Sequence, residues 1–230
     1  NTLYEVSDRN PEGIAPPSNG AGSYLFSGRI LTGPLRRALI AFYVAGSLPS
    51  GASITEVTLS MQMSKTIAGS TTVGVHRLTS DWGEGDSDAG GEEVAGTAAQ
   101  PGDATWIHTF YPSSNWISPG GDFVGGASSS QTVGSDGSYV WPSTPELVAD
   151  VQTWLDNPST NFGWLEIGDE FTAPSAKRFN SRENGSGVTT LTITYQAPVP
   201  SLPAWAMLPL VACLVFAGLW RLKHLASSTE

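Results

Sequence analysis

The chain is 230 residues long, with 11 Lys and Arg against 21 Asp and Glu and a formal net charge of −10. A balance so acidic excludes a nucleic-acid partner, because phosphate binding draws on clustered Lys and Arg, and it argues against adhesion of a folded part to anionic lipid. The single cysteine, Cys213, excludes an intramolecular disulfide, so stability has to come from a packed core, for which the length is ample.

The first residue is Asn1 and no signal-peptide pattern follows it, which reads as a leader already removed. Strand signals then succeed one another. Residues 37–44 (RALIAFYV) are apolar and β-friendly. Residues 54–64 alternate, with Ile54, Val57, Leu59, Met61 and Met63 mostly on one parity, and 71–78 (TTVGVHRL) alternate as well. Period-2 alternation means one buried and one wet face. Residues 80–137 are rich in Gly, Ser and Asp, and they show little periodicity. Long irregular insertions are functional or pinned by their own side chains, and Trp82, Trp106 and Trp116 are the expected pins.

A helix follows in STPELVADVQTWLDNP (143–158): Thr144 as N-cap, Pro145 in the first helical position, and Glu146 in the first turn. Leu147, Val148, Val151, Trp154 and Leu155 form an apolar stripe at helical spacing. Strand signals return at 161–168 and 188–195. Short strands between Gly, Pro and Ser turns, with one helix covering an end or flank, predict an all-β sandwich.

The tail is of another kind. Leu202 to Trp220 contains no charged residue, and Arg221 and Lys223 follow at once. About 20 apolar residues cross a bilayer, flanking positive charge marks the cytoplasmic side, and Trp205 and Trp220 occupy the interfacial positions. The reading is a domain over 1–196, a linker over 197–201, a single membrane span over 202–220 and a cytoplasmic tail over 221–230, with the domain outside the cytoplasm. A buried core helix is the competing reading of the span, but the run lacks polar residues on every face.

Four sets of polar or aromatic residues are candidates for chemistry or binding. Asp81, Glu84, Asp86 and Asp88 lie in a Gly-rich loop with the oxygen donors that Ca²⁺ takes, although the spacing departs from an EF-hand; the plain alternative is a solvated acidic loop. Asp103 and Asp122 would join such a site if their loops converge. Trp141, Tyr139 and Tyr111 are candidate platforms for stacking a sugar, against the alternative of core aromatics. Arg178, Arg182 and Glu183, in KRFNSRE, are expected to pair with carboxylates in a chain so poor in cations. His76, His108 and His224 show no metal-ligand spacing, and no catalytic motif is recognised.

RRALIAFYV, LPSGASITEVTLSM, VGVHRLTSDWGEG, GDATW, PGGDF, WLDNPSTNFGWLEIG and KRFNSREN…LTITY, in that order over residues 1–196, together resemble the DNRLRE-domain family, extracytoplasmic bacterial β-sandwich modules related to alginate-binding carbohydrate modules. The resemblance implies a jelly-roll-like sandwich of about ten strands, with Arg178, Arg182 and Glu183 as a signature of the fold; N-S-R-E here departs from the family's own pattern. PVPSLPAW, the apolar run and RLKHL resemble in layout the PEP-CTERM-like sorting tails of bacterial surface proteins. The expected function is therefore a non-catalytic accessory or scaffolding subunit of a bacterial inner-membrane complex, of which respiratory and photosynthetic assemblies are one class. Its partners are other subunits and the lipid bilayer, and no cofactor is expected beyond Ca²⁺ at the acidic loop. The alternative is a carbohydrate-binding surface module with a polysaccharide partner. An enzyme such as a polysaccharide hydrolase, which would need two suitably spaced carboxylates, ranks third.

Overall fold

A computed structural model describes residues 1–5 and 14–198, and Asn1–Ala197 form one compact unit. The expected span over 202–220, with Trp205, Trp220, Arg221 and Lys223, lies outside the described residues. Among those described, no helix is long and apolar enough to cross a membrane.

The domain is mostly strand. In chain order come β1 (Thr2–Tyr4), β2 (Pro17–Ser18), β3 (Tyr24–Arg29), β4 (Leu35–Ile40), β5 (Ser53–Thr66), β6 (Thr71–Arg77), β7 (Thr97–Ala98), β8 (His108–Phe110), β9 (Ser114–Asn115), β10 (Ser129–Val133), β11 (Gly137–Trp141), the helix α1 (Pro145–Asp156), β12 (Trp164–Ile167), β13 (Lys177–Asn180) and β14 (Thr190–Gln196). Ten strands form one curled antiparallel sheet in the order β10-β6-β12-β4-β3-β13-β5-β11, with β1 also on β4 and β14 also on β5. β3 turns the corner: Tyr24–Ser27 pair with β13, whereas Gly28 and Arg29 pair with β4. Gly28 sits at the bend with φ +103, and a Cβ there would lie 3.1 Å from Ala176 Cα and Ser175 Oγ; only glycine accepts that backbone at that approach.

The two halves of the curl face one another across the main core. Ala38, Ile40, Val73, Val75 and Trp164 from one half meet Leu25, Val57, Leu59, Met61, Met63, Trp141 and Phe179 from the other. β5 supplies the longest run of this core. Its inward parity shifts between Ile54 and Val57 because the pairing with β14 slips between Thr194 and Tyr195, and a bulge re-aims the side chains that follow it.

α1 closes the core beside β5. Thr144 Oγ1 accepts from Leu147 N at 3.0 Å, and Leu147, Val151, Trp154 and Leu155 are buried. The Trp154 and Trp164 rings stand 4.4 Å apart. Thr144→Ala is expected to lose this cap and the bond its hydroxyl donates to Ser128 O, lowering stability by roughly 1–2 kcal/mol, readable as a shift in the urea midpoint.

The irregular insertion lies over the outer face of the β4–β12 half. Leu3, Leu35, Leu39 and Leu165, which alternate with inward residues, form a second core with Trp106 and Trp116, against which Trp82 and Phe123 pack. The expected pins hold: Trp116 Nε1 donates to Thr105 O and Trp82 Nε1 to Phe162 O. Arg37 adds a fourth, making a two-point contact with Glu170 at 2.7 and 2.9 Å and donating to Gly120 O. Periodicity did not point to β3, β10, β11 and β13, nor to the two- and three-residue strands β1, β2, β7, β8 and β9; β7 to β10 lie wholly inside the stretch read as irregular.

Candidate functional site

Sequence reading placed Arg178, Arg182 and Glu183 together. The fold sets Arg178 on β13 and keeps Arg182 and Glu183 paired in the turn that follows it. Arg178 pairs across the sheet with Phe26, Phe179 turns into the core, and the chain then leaves the sheet through a 3-10 turn at Arg182–Asn184. Ser181 Oγ accepts from Glu183 N at 3.1 Å and donates to Gly22 O at 2.7 Å, which fixes the turn.

Opposite this turn lies the acidic loop. Its backbone runs against residues 102–104: Gly83 N donates to Thr109 O and Ala104 N to Gly83 O. Gly85, with φ +72, passes so close to Asp103 that a Cβ would fall 1.4 Å from its Oδ1. The loop is therefore held by main-chain contact, and it presents Trp82 and Glu84 toward Arg182.

These pieces form a cleft of about 330 Å³ whose walls include Phe42, Trp82, Glu84, Arg182 and Glu183. Arg182 bridges two carboxylates, with Nη2 2.9 Å from Glu84 Oε2 and Nε 2.8 Å from Glu183 Oε1. Those contacts hold the guanidinium above its ordinary pKa, the bond to Glu183 first among them. The Arg182 side chain is 69% exposed, so the pairs contribute little to stability. Their effect is to hold a planar donor group between two acceptors in a cleft that two half-buried aromatic residues also line.

The acidic loop does not assemble a metal centre: among the described residues no group of three or more His, Cys, Asp or Glu is placed to hold a metal ion. Glu84 is taken by Arg182. Asp81 Oδ1 accepts from Trp82 N, and Asp88 Oδ1 from Gly90 N; Asp86 is exposed. Asp122 accepts from Ser80 Oγ, Ile117 N and Ser118 N, and Asp103 from Gln100 N. Apart from Asp86, these carboxylates are engaged by donors of the chain, Glu84 and Asp122 across to other segments and Asp81, Asp88 and Asp103 within their own.

Of the aromatic candidates, Trp141 needs correction. Trp141 is fully buried, packs edge-on to Phe179 at 5.8 Å and donates Nε1 to Val73 O, so it offers no face to a sugar. The Tyr139 hydroxyl is engaged with Ser135 O and Gly134 N. Tyr111 stands edge-on to His108 at 5.1 Å. None of the three lines the Arg182 cleft; Phe42 and Trp82 do.

Sequence reasoning missed a set of buried polar side chains. Glu93 accepts from Asn19 Nδ2, Ser23 N and Tyr24 N. Asp150 Oδ2 accepts from Ser128 Oγ at 2.6 Å and Trp164 Nε1 at 2.8 Å, while Oδ1 meets Arg77 Nε at 3.1 Å. Glu166 is wholly buried, accepts only from Ser27 Oγ, and is pushed by desolvation up to about 8. Asp150 and Glu166 sat in a helix and a strand pattern at buried positions, and that was the available signal; Glu93 lies in the irregular stretch, where no periodicity marks it.

No protein-family model matches the chain, and no curated protein matches it.

Proposed function

We propose that the chain is a non-catalytic recognition module, a jelly-roll-like sandwich held on the outer face of a bacterial cytoplasmic membrane by residues 202–220, and that it binds a neutral saccharide in the cleft beside Trp82. The observation that carries this reading is the arrangement of Arg182 between Glu84 and Glu183 in a cleft also lined by Trp82 and Phe42. A sugar ring offers C–H faces that pack on aromatic rings and hydroxyls that both donate to carboxylates and accept from a guanidinium. Apolar walls with a few oriented polar groups are the usual composition of a ligand cleft. Two acids beside one cation leave the cleft negative, which disfavours an acidic polysaccharide. The resemblance to carbohydrate-module relatives over residues 1–196 supports the same reading.

The test is affinity-gel retardation of the full-length chain in zwitterionic nanodiscs. At least one neutral polysaccharide, among β-glucans, mannans and xylans, is expected to retard it, and alginate is not. Arg182→Met, at an exposed position, and Trp82→Ala are each expected to remove the retardation. Equal migration of Arg182→Met and wild type in every gel, or no retardation by any neutral glycan, refutes the assignment.

A second reading, an accessory subunit of a membrane complex, is favoured by the uncharged run of 202–220 followed by Arg221 and Lys223. Its expected result is co-migration with other proteins after gentle solubilisation of native membranes. Migration as a lone monomer counts against it.

A further inference from the structure

A second cleft, of about 450 Å³, opens beside β13, the β3–β4 turn and the end of β5. Small-molecule sites span roughly 300–1,000 Å³. Its apolar walls include Phe26, Ile30, Leu31, Ile67 and Val94, and Lys177, whose ammonium is taken by Gly69 O and Thr66 Oγ1, also lines it. Leu31 is 67% exposed, Ile67 71% and Val94 43%. Isolated exposed apolar residues are ordinary, but a set of them converging on one concavity marks a binding surface.

The charge at the cleft is opposite to that of the chain. Lys65 Nζ and Arg178 Nη1 lie 2.7 and 2.9 Å from the same oxygen, Glu92 Oε2. One carboxylate thus serves two cations in a protein whose net charge is −10. Arg178 is set in place from behind: its guanidinium lies 3.8 Å from the centre of the Tyr24 ring, Nε donates to Ser64 Oγ at 3.1 Å, and the side chain is only 12% exposed. Glu92, by contrast, is 66% exposed and Lys65 55%. A preplaced guanidinium, a lysine and an exposed carboxylate that already occupies them describe an anion site holding the chain's own stand-in.

We propose that this cleft binds a free long-chain alkyl carboxylate. Its hydrocarbon chain lies along Phe26, Ile30, Leu31, Ile67 and Val94, and its head group takes the place of Glu92 on Arg178 and Lys65. The aliphatic walls supply the affinity by removing apolar surface from water. The two cations select the anionic end, and Glu92 weakens binding by competing for them. This assignment is independent of the saccharide cleft, with which it shares no residue.

The experiment is calorimetric titration of n-decanoate into the full-length chain in zwitterionic nanodiscs, with the heat of empty discs subtracted. Saturable binding is expected, with n-decanol and acetate each at least tenfold weaker. Glu92→Gln is expected to tighten decanoate at least threefold. Lys65→Met is expected to weaken it at least threefold, and Arg178→Met at least tenfold. Because Arg178 also packs on Tyr24, the exposed positions 65 and 92 keep the test sound if Arg178→Met fails to fold. The proposal is overturned by decanol binding as tightly as decanoate, by Glu92→Gln leaving affinity unchanged or lower, by no saturable decanoate binding, or by an apolar peptide binding where decanoate does not.

Discussion

Between pH 5 and pH 8, the stability of the wild-type domain is expected to fall relative to that of Glu166→Gln by on the order of 4 kcal/mol. Glu166 lies on β12 with its side chain wholly inside the sandwich, where desolvation raises its pKa from 4.5 to about 8 and the bond from Ser27 Oγ, which favours the ionised form, only partly opposes that rise. The folded chain therefore keeps the proton to about pH 8, whereas the unfolded chain releases it above about pH 4.5. In that window the native state binds more protons at this site, so the contribution of Glu166 to stability is greatest below pH 4.5 and declines as pH rises through the folded pKa. Gln does not titrate, so its stability profile lacks this decline.

His76 and His108 are held below the ordinary imidazole value by burial. That holds in both proteins and cancels in the difference. The readout is a set of urea-unfolding curves at half-unit pH steps, with m unchanged between the two proteins. Parallel profiles for wild type and Glu166→Gln refute the assignment of a neutral buried carboxyl. At pH 5 the variant is expected to be no more stable than wild type, because the extra amide hydrogens occupy the place of Oε2, which has no hydrogen-bond partner.

The second large effect is expected at Asp150. Its carboxylate joins three elements: Ser128 beside β10, Trp164 on β12 and Arg77 at the end of β6. Burial pushes its pKa up while the bonds from Ser128 and Trp164 pull it down, and burial prevails. Asp150→Ala leaves the buried Trp164 Nε1 and Ser128 Oγ without their acceptor and removes the partner of Arg77. Each unpaired buried donor costs about 1–3 kcal/mol. Arg77 is 36% exposed and recovers solvent, so its loss adds little. The expected total is about 3 kcal/mol by denaturant unfolding, with Asp150→Asn intermediate because its amide oxygen still accepts from Trp164. A loss under 1 kcal/mol for the alanine variant contradicts a linking role.

The same two residues show where sequence reading reached and where it stopped. α1 was legible almost to its ends, because capping, an N-terminal proline and a 3.6-residue stripe are local signals. That stripe contained its own anomaly: Asp150 falls between Leu147 and Val151 on the buried face, and helical spacing alone marks it as a polar group needing partners. Glu166 shares the parity of Trp164, so alternation marks it as an inward residue as well, a signal the sequence reading did not use.

β5 and β6 were legible for the same local reason. β13 was not, since KRFN alternates a buried lysine and a buried phenylalanine with a half-buried arginine. Lys177 lies inside only because Gly69 O and Thr66 Oγ1 receive its ammonium, an arrangement made by partners more than a hundred residues away. The pairing of Arg178 and Arg182 with acids followed from scarcity of cations. Which acids, and the division of the motif between two clefts, depended on loop placement that no periodicity encodes. Trp141 was misjudged because hydrophobic bulk reads alike for a core residue and a binding platform.

The length of β5 has a consequence for how the domain is made. One of its edges takes β13 and then β14, both drawn from the last twenty-odd residues of the domain. Until residues 177–196 have emerged, that edge has hydrogen-bonding groups with no strand to meet them, and Ser27 likewise waits for Lys177. Contacts so distant in the chain close slowly, and an unpaired edge is the surface on which incomplete chains adhere to one another. The interval between synthesis of β5 and arrival of β13 is thus the stage at which this protein is most exposed to self-association.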